Sequence, residues 1–419
     1  MPNPSAPVST RTFVALGLLS TFGPLSLDLY LPALPELADD LQTTTSAAQL
    51  SITGCLIGLA FGQLVAGPLS DRFGRRRPLI IGLAAFMIAS LACAFAPSST
   101  VLLILRLVQG LAGAAGLVIA RAVARDLYEG KALTIFFSRL ILISGFAPVI
   151  APVLGGQLSK VMSWRGIFGV LAGFGLLLLL VGIFGLRETL PAQRRTAGGL
   201  PATLRGFGVL LRDRLFVGSA LSAGLAAASM FAYIAGATFV LQRIYGLSAQ
   251  GFSLVFGMNS LGIVAAGQVG ARLARRWSAL RVLALGLVIN LVGTAGLAVS
   301  VLAGLDLPFL VGSLFVMVSA LGLVFPSATT LAMSGYPDRA GAASSLLGVS
   351  QFLFGAIAAP LVGIAGEDSA VPLGLVAVTA SSCAVGVFAT VVYPAVRRRR
   401  LASVSSSSEA DSVAPSAEV

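Results

Sequence analysis

Uninterrupted apolar runs of about 20 residues recur from one end of this 419-residue chain to the other. Each run is long enough to cross the roughly 30 Å of hydrocarbon in a bilayer as a helix. The chain is 57% hydrophobic and 11% charged, whereas a soluble domain carries about 25% charged residues. The runs are continuous rather than alternating, which favours membrane-spanning helices over barrel strands.

Twelve spans are predicted, at residues 12–34, 46–68, 78–97, 100–123, 133–157, 165–186, 215–241, 251–273, 281–304, 307–331, 341–364 and 371–394. The connection at 187–214 is long, polar and basic, which indicates a linker. The expected fold is an all-α membrane protein with twelve transmembrane helices in two six-helix pseudo-symmetric halves, at 1–186 and 215–396. Residues 397–419 lack apolar periodicity and are predicted to be a disordered cytoplasmic tail.

The formal net charge of +12 would indicate a nucleic-acid or acidic partner in a soluble protein. Here the arginines cluster in alternate loops, as the positive-inside rule requires. The clusters lie at residues 72–77, 121–131, 187–214, 272–281 and 397–400, whereas the opposite loops carry acids and only three cations, Lys160, Arg165 and Arg243. The pattern predicts a multi-pass inner-membrane protein with both termini in the cytoplasm, a lipid environment and no nucleic-acid partner.

Several chemistries lack the residues they need. The chain contains no histidine, its three cysteines lie singly inside apolar segments, and no G-x-x-x-x-G-K-[ST] motif occurs. We therefore expect no metal site, no cofactor and no enzyme activity. A membrane-embedded enzyme or receptor is the alternative from another class, and the absence of an acidic pair inside the spans argues against it.

A basic segment recurs at an offset of 200 residues. Residues 67–76 read GPLSDRFGRR and residues 267–276 read GQVGARLARR, so one glycine and three arginines keep their spacing. Topology alone could place a basic loop twice, but the matched spacing favours an internal repeat of the kind that transporters contain.

The loop between the second and third predicted spans carries the strongest motif. Residues 67–78, GPLSDRFGRRRP, resemble the G-x-x-x-D-R-x-G-R-R/K signature of the major facilitator superfamily. The resemblance implies a conformational switch, in which a charge network joins the cytoplasmic ends of helices. An ordinary positive-inside loop is the alternative. The residues assigned to this switch are Gly67, Asp71, Arg72, Gly74, Arg75 and Arg76.

The fourth predicted span contains an arginine. Residues 102–116, LLILRLVQGLAGAAG, resemble the R-x-x-Q-G motif of the same superfamily at Arg106, Gln109 and Gly110. Arginine in hydrocarbon costs at least a few kcal/mol, so Arg106 is expected to face the interior and to have a partner. The alternative is that Arg106 snorkels to the nearby outer surface.

The fifth predicted span is rich in helix-breaking residues. Residues 144–156, SGFAPVIAPVLGG, resemble the antiporter motif of the drug-exporting branch, with Ala151 in place of one glycine. Prolines and glycines bend a helix and let another helix approach, so a generic kinked helix is the alternative. The residues assigned to the motif are Gly145, Pro148, Pro152, Gly155 and Gly156.

The end of the first predicted span points to a subfamily. Residues 28–35, DLYLPALP, together with WRGIF at 164–168 and LQRIYGL at 241–247, resemble the Bcr/CflA drug:proton antiporters. The resemblance implies the twelve-helix fold, coupling to protons, and substrates such as chloramphenicol- or bicyclomycin-like antibiotics. We therefore predict proton-coupled efflux of small amphiphilic drugs. The alternative is proton-coupled uptake of a small metabolite on the same fold.

Asp28 and Arg106 are predicted to act together in proton coupling. Asp28 lies about seven residues below the outer end of its span, or about 10 Å at 1.5 Å per residue, and Arg106 lies about 9 Å down by the same rise. Pairing would offset part of the cost of two charges in hydrocarbon. A static structural pair is the alternative, because similar depth does not show that the helices face each other.

Two further sets of residues are assigned from their types. Gly54, Gly58 and Gly62 form a G-x-x-x-G-x-x-x-G face, interpreted as packing within the chain rather than as a dimer interface, and the protein is expected to be a monomer. The expected partners are a small-molecule substrate, protons and the lipid bilayer. The candidates for the substrate cavity are Tyr30, Gln109, Phe231, Tyr233, Phe256, Asn259 and Gln351.

Overall fold

The computed structural model describes residues 10–128, 136, 140, 147–195, 206–336, 340–366 and 369–399. This part of the chain folds into helices joined by turns, and it contains no β-strand. The helices of the first part are α1 (Thr10–Ser20), α2 (Phe22–Asp28), α3 (Leu34–Asp40), α4 (Thr45–Phe73), α5 (Arg76–Ala94), α6 (Ser99–Leu127), α7 (Ala147–Leu158) and α8 (Trp164–Gly185). The remaining helices are α9 (Arg214–Ile244), α10 (Ala249–Leu273), α11 (Ala279–Leu302), α12 (Leu307–Met333), α13 (Gly341–Leu361) and α14 (Val371–Arg399).

Ten helices of the described residues are long and apolar enough to cross a membrane. The count becomes eleven if Thr12–Ser20 and Leu25–Asp40, which meet at a bend of 41°, form one broken span. This bent pair corresponds to the predicted span at 12–34. Of the predicted span at 133–157, the continuous described part is α7, and most of the rest lies outside the described residues. The protein is therefore a multi-pass helical membrane protein, and the count of twelve stays a prediction.

One predicted boundary differs from the structure. The tail was expected to begin at residue 397, but α14 continues through Arg399. A run of arginines is compatible with helix, since Arg is among the better helix formers. Residues 400–419 lie outside the described part of the chain.

Close packing of α4 against α6 depends on glycine. A Cβ atom on Gly58 would lie 2.1 Å from the carbonyl oxygen of Leu107, and one on Gly110 would lie 2.1 Å from the carbonyl oxygen of Cys55. Gly54 and Gly62 also meet α6 at distances that exclude a side chain. The glycine face of α4 is therefore a contact within the chain, as predicted, and small residues let the two backbones touch.

The same kind of contact recurs between α10 and α12. A Cβ atom on Gly322 would lie 2.2 Å from the carbonyl oxygen of Ile263, which matches the approach of Gly110 to Cys55. Helices α4, α5, α6 and α8 pack on one another, α9 to α14 do likewise, and α4 meets α13 between the two groups.

The outward faces of the helices are apolar. Phe184, Ile364 and Ile81 are 83%, 71% and 69% exposed, and many other large apolar side chains are exposed along the spans. Exposed patches of this kind would be unfavourable in water and are suited to lipid. Small and polar side chains are buried between the helices instead, as expected for a membrane bundle.

Substituting Gly58 tests the α4–α6 contact. We expect Gly58→Ala to destabilise the folded protein by about 1–3 kcal/mol, because overpacking forces backbones apart. The measurement is thermal unfolding in detergent, followed by loss of the monodisperse species. Gly169→Ala is the matched control, since a Cβ atom there meets nothing within 4 Å. Equal stability of the two variants would contradict the packing described for Gly58.

Candidate functional site

Two ends of the helix bundle differ in charge. The basic end contains the turn between α4 and α5 with Arg72, Arg75 and Arg76, and the last turns of α6 with Arg121 and Arg125. The acidic end, at the opposite ends of these helices, contains Asp39, Asp40 and Asp306. Polar side chains are buried along the whole length of the bundle, from Thr45 at the acidic end to Ser70 at the basic end.

Arg106 is buried in the middle of the bundle, with no exposed surface. It does not reach the outer surface, as the snorkelling alternative would require. Its guanidinium donates hydrogen bonds from Nη1 to the carbonyl oxygen of Ser26 at 3.0 Å and to its hydroxyl at 3.3 Å, and from Nε to the carbonyl oxygen of Ser51 at 3.3 Å. A further bond runs from Nη1 to the amide oxygen of Gln109. The charge is thus held by neutral oxygen acceptors on α2, α4 and α6.

Aromatic rings complete the surroundings of Arg106. Its guanidinium carbon lies 4.7 Å from the centre of the Tyr30 ring and 5.6 Å from that of Phe168, within the range of cation–π attraction. The Tyr30 hydroxyl is hydrogen-bonded to the Ser51 hydroxyl at 2.9 Å. Among the described residues, one guanidinium nitrogen, Nη2, is buried without a hydrogen-bond acceptor. Two buried N–H groups are thus unsatisfied, which is unfavourable unless another interaction offsets it.

Gln109 extends the Arg106 network. Its amide nitrogen donates to the Ser90 hydroxyl at 2.6 Å, and that hydroxyl donates to the carbonyl oxygen of Phe86 at 2.8 Å. The predicted motif residues Arg106 and Gln109 are therefore in direct contact, one turn apart on α6. The sequence analysis missed the hydroxyls of Ser26, Ser51 and Ser90, because a serine within an apolar span gives no signal of its partner.

Asp28, at the end of α2, is 4% exposed. Among the described residues, no lysine or arginine nitrogen lies within 4.0 Å of its carboxylate. The expected ion pair with Arg106 is thus not formed in this structure, because the guanidinium is engaged by Ser26, Ser51 and Gln109 instead. Asp28 lies within electrostatic range of the Tyr233 hydroxyl on α9.

Tyr233 belongs to a second buried polar cluster. The amide nitrogen of Asn259 donates to the Tyr233 hydroxyl at 2.9 Å, and the amide oxygen of Asn259 is buried with no partner in the described part of the chain. The Tyr233 ring stacks on Phe256 at 5.2 Å between centroids. Three of the residues predicted for the cavity therefore meet one another, and one of them approaches Asp28.

A cavity of about 820 Å³ opens at the basic end. None of the seven residues predicted for the cavity wall lines it, because in this conformation those residues are covered by neighbouring helices or lie elsewhere. Phe231, for example, is 3% exposed and packs against Gly355, and Gln351 is only partly buried on α13. The wall is instead formed by α4, α6, α13 and the segment before α9. Its polar and charged side chains are Gln63, Ser70, Asp71, Arg75, Arg121, Arg125, Asp126, Ser344 and Ser345.

Arg75 is the centre of the network in the switch motif. It is hydrogen-bonded to Asp71, to the Ser70 hydroxyl at 2.8 Å and, through Nε, to Asp126 at 2.9 Å. Partial burial alone would lower the pKa of Arg75, but the contacts with Asp126 and Asp71 outweigh it and raise the pKa above its ordinary value. The guanidinium therefore stays charged. Asp126, which the sequence analysis missed, also accepts a bond from the Thr189 hydroxyl at 2.9 Å.

Gly74 and Glu188 fit together at the turn of the motif. Gly74 has a φ of 87°, which favours glycine, and a Cβ atom there would lie 2.4 Å from Oε2 of Glu188. The Glu188 carboxylate accepts hydrogen bonds from the backbone N–H groups of Arg75 at 2.8 Å and Arg76 at 3.2 Å. The sequence analysis missed Glu188 because it lies 112 residues from Arg76 along the chain.

The other two arginines of the motif differ in their surroundings. Arg76 donates to the carbonyl oxygen of Ile183 at 2.7 Å and so holds α8 against α5. Arg72 is exposed, with its guanidinium carbon 5.1 Å from the centre of the Phe73 ring. Gly67 lines the cavity, and a Cβ atom there would contact only Val118, at 3.8 Å.

The antiporter-type motif of α7 lies between α2 and α10. A Cβ atom on Gly155 would lie 1.9 Å from the carbonyl oxygen of Leu29, and one on Gly156 would lie 2.3 Å from the Ser253 hydroxyl. The carbonyl oxygen of Pro148 accepts a bond from Ser260 at 3.2 Å, and Pro152 is buried. Gly145 lies outside the described residues. The glycines of α7 thus let two other helices approach, as their sequence indicated.

The acidic end is closed by contacts between α3 and the end of α9. Arg243 forms an ion pair with Asp39 at 2.5 Å, and Gln242 donates to the carbonyl oxygen of Pro32 at 3.1 Å. Further along, Ser46 donates to the carbonyl oxygen of Pro360 at 3.1 Å. The bundle therefore has contacts across its acidic end and a cavity at its basic end.

Comparison with known proteins agrees with this architecture. The model of the Major Facilitator Superfamily matches residues 16–360. The chain is 41% identical to the "uncharacterized MFS-type transporter YdgK" of Bacillus subtilis, covering 89% of this chain and 93% of that protein. It is 31% identical to the "bicyclomycin resistance protein homolog" of Haemophilus influenzae, covering 87% and 92%.

Two further similarities support less, because one covers a smaller share of both chains and the other has a low sequence identity. The chain is 30% identical to a "chloramphenicol resistance protein" of Pseudomonas aeruginosa, covering 69% of this chain and 68% of that protein. The crystal structure of the nucleoside transporter NupG superposes with a TM-score of 0.73 at 14% identity, covering 90% of this chain and 98% of that one. At this identity the superposition shows a shared fold alone.

The Glu188 carboxylate gives the basic end a pH dependence that can be measured. Partial burial would raise its pKa, but hydrogen bonds from the backbone of Leu190, Arg75 and Arg76, with Arg195, lower it below its ordinary value. A lowered pKa stabilises the fold above the ordinary glutamate pKa of about 4.3, and this stabilisation is lost as the pH falls through the lowered folded value. We expect Glu188→Gln to lose about 1 kcal/mol of stability at pH 7.

Thermal unfolding of wild type and Glu188→Gln in detergent, from pH 8 to pH 3.5, measures this difference. It should be constant down to pH 5 and should shrink below about pH 4, where the wild-type carboxylate takes up a proton. A difference that grows on acidification would contradict the described contacts of Glu188.

Proposed function

Because the chain belongs to the Major Facilitator Superfamily, we propose that it exports small amphiphilic drugs across the inner membrane in exchange for protons. Chloramphenicol- or bicyclomycin-like antibiotics are the proposed substrates, by similarity to the resistance proteins of Haemophilus influenzae and Pseudomonas aeruginosa. The matched residues cover 92% and 68% of those proteins, which supports a shared type of function.

The proposed architecture has twelve transmembrane helices in two six-helix halves, at 1–186 and 215–396, joined by the linker at 187–214. The recurrence of the Gly110–Cys55 contact as Gly322–Ile263 supports an internal repeat. The positive-inside rule places the basic end, and with it both termini, in the cytoplasm. The protein acts as a monomer without cofactor, metal or catalytic step, and its partners are substrate, protons and lipid.

The observation that carries the proposal is the asymmetry between the two ends. Contacts such as Arg243–Asp39 close the acidic end, while the cavity of about 820 Å³ opens at the basic end. With the basic end in the cytoplasm, this is an inward-facing state that admits substrate from the cell. Export then requires the basic end to close and the acidic end to open, as in alternating access.

The switch motif is suited to govern that change. Arg75 binds Asp71 and Asp126 at the rim of the cavity, and Asp71 is half exposed there. Closure of the basic end would bring the opposite wall of the cavity, formed by α13, towards Asp71. The motif residues therefore act through conformation, with Gly74 fixing the turn on which Arg75 sits.

Asp28 is the proposed proton carrier. It is the buried carboxylate nearest the Arg106 network, it has no cation within ion-pair distance among the described residues, and it approaches Tyr233 on α9. Arg106 supplies a fixed positive charge that favours loss of the proton when the two groups come together. Movement of α2 relative to α6 during the cycle would change that distance, and would let Asp28 gain a proton in one state and lose it in the other.

The second candidate, uptake of a small metabolite, uses the same fold with the opposite direction of coupling. The glycine and proline pattern at 144–156 favours export, because it resembles the antiporter motif of the drug-exporting branch. The decisive readout is therefore the sign of the proton gradient that drives substrate accumulation.

Proteoliposomes with an acidic lumen test function and direction together. Molecules with their basic end outwards should accumulate chloramphenicol inside the vesicles at the expense of the gradient. Asp28→Asn should reduce accumulation to the level without a gradient, because no proton is exchanged, while counterflow of labelled chloramphenicol continues. Asp306→Asn, which removes an exposed carboxylate at the acidic end, is the control and should transport normally.

Two results would count against the proposal. Undiminished accumulation by Asp28→Asn would remove Asp28 from the coupling. Accumulation that needs an acidic exterior instead would identify uptake rather than export.

A further inference from the structure

We propose that the cavity at the basic end contains a subsite for an anionic group, formed by Arg121, Arg125 and Gln63, so that the transporter selects amphiphiles that carry one negative charge. This inference rests on the proposed export function and specifies its substrate class. Two kinds of ligand carry such an anionic group: a soluble anionic amphiphile and an anionic lipid with its headgroup.

The two arginines form one charged surface. Arg121 and Arg125 are one turn apart on α6 and therefore share a face of the helix, which both contribute to the cavity wall. Like charges at this spacing repel. Neither guanidinium forms a hydrogen bond or an ion pair with a described residue. Arginines that served only to orient the helix would have no need to converge on a cavity.

The acids in the same wall do not neutralise this surface. Asp71 and Asp126 are both bound to Arg75, and Asp126 in addition accepts the Thr189 hydroxyl. Among the described residues of the cavity wall, the remaining charged side chains are Arg121 and Arg125. The described part of the wall therefore has an excess of positive charge, to which Arg121 and Arg125 of α6 contribute two charges.

Gln63 provides a second, independent observation. Its side chain is 5% exposed and lines the cavity from α4, and within the described residues it makes no hydrogen bond. Gly348 on α13 leaves room for it, since a Cβ atom there would lie 2.4 Å from the Gln63 amide oxygen. The amide atoms of Gln63 are open to the cavity, and its N–H groups can donate to an oxyanion that lies between Gln63 and the arginines.

The rest of the wall suits the apolar part of such a ligand. Leu64, Pro68, Val118 and Phe207 line the cavity beside the polar groups. A volume of about 820 Å³ is in the range of cavities that hold drug-sized molecules. Charge-assisted hydrogen bonds from guanidinium groups to an oxyanion are stronger than neutral ones, so the anionic group would orient the ligand.

The test uses two ligands that differ by one charge. Chloramphenicol is neutral, and its succinate monoester adds one carboxylate to the same scaffold. Binding of each is measured by scintillation proximity to purified protein in nanodiscs of phosphatidylcholine. The variants are Arg121→Gln with Arg125→Gln as a double substitution, Gln63→Leu, and Arg272→Gln as a control at the basic end that does not line the cavity.

We expect the double variant to weaken succinate-ester binding by roughly tenfold or more, as loss of charge-assisted hydrogen bonds predicts. Its affinity for chloramphenicol should change by less than about twofold, which also shows that it is folded. Gln63→Leu should weaken ester binding to a smaller extent, and Arg272→Gln should change neither affinity. Equal loss of both ligands in the double variant, or no loss of either, would overturn the subsite.

A second binding experiment, with an anionic lipid in the nanodiscs, distinguishes the two sources of the anionic group. With phosphatidylglycerol added to the nanodiscs, a drop in ester affinity in the wild type, absent from the double variant, identifies the lipid headgroup as an occupant. Unchanged ester affinity identifies the soluble amphiphile. Failure of the wild type to bind either compound would count against the proposed export function rather than against the subsite alone.

Discussion

A buried guanidinium that has no carboxylate partner among the described residues is the constraint on which the centre of this protein depends. Arg106 is enclosed by α2, α4 and α6 and is stabilised by the oxygens of Ser26, Ser51 and Gln109 and by two aromatic rings. Such acceptors offset only part of the cost of a charge away from water. The glycine contacts between α4 and α6 bring the backbone oxygen of Ser51 within hydrogen-bond distance of Arg106. The stabilisation of the charge therefore depends on the close packing of these two helices.

This arrangement explains how a conformational change can be coupled to the uptake and release of a proton. Ser26 lies two residues before Asp28, so the helix that binds Arg106 through its backbone also carries the buried carboxylate. A shift of α2 that exchanges the Ser26 oxygens for the Asp28 carboxylate would satisfy the guanidinium and expel the proton in one step. Gly155 holds α7 against Leu29, next to Asp28, and α7 also contacts α10. Movement of one group of helices against the other would therefore be transmitted to α2.

The sequence predicted where the helices lie better than which side chains contact one another after folding. Apolar runs place ten of the twelve spans to within a few residues at most ends, since crossing hydrocarbon fixes length and polarity. The burial of Arg106 was predictable because a charge exposed to lipid is unfavourable. The packing role of Gly58 was predictable because glycine has no side chain to keep two helices apart. In contrast, Asp126 and Glu188 were missed because they meet Arg75 and Arg76 only after the chain has folded.

The cavity was also beyond the sequence analysis. Candidates such as Phe256 and Asn259 were chosen by type, and they are buried because the acidic side of the bundle is closed in this conformation. Gln63 and Arg121 line the cavity that is open, yet Gln63 was not among the candidates and Arg121 was interpreted as a charge of the positive-inside pattern. Which side chains are accessible depends on the conformation of the transporter. One sequence adopts all of these conformations, so it does not indicate which side chains line the cavity in any one of them.

Proton release on substrate binding tests the exchange of drug for a proton at Asp28 most directly. Purified protein in weakly buffered detergent at pH 7 is mixed with chloramphenicol, and a pH indicator records the protons set free. The wild type should release protons in proportion to bound drug, and Asp28→Asn should bind drug and release none. Equal release by the two proteins, or binding by the wild type without any release, would contradict proton exchange at Asp28.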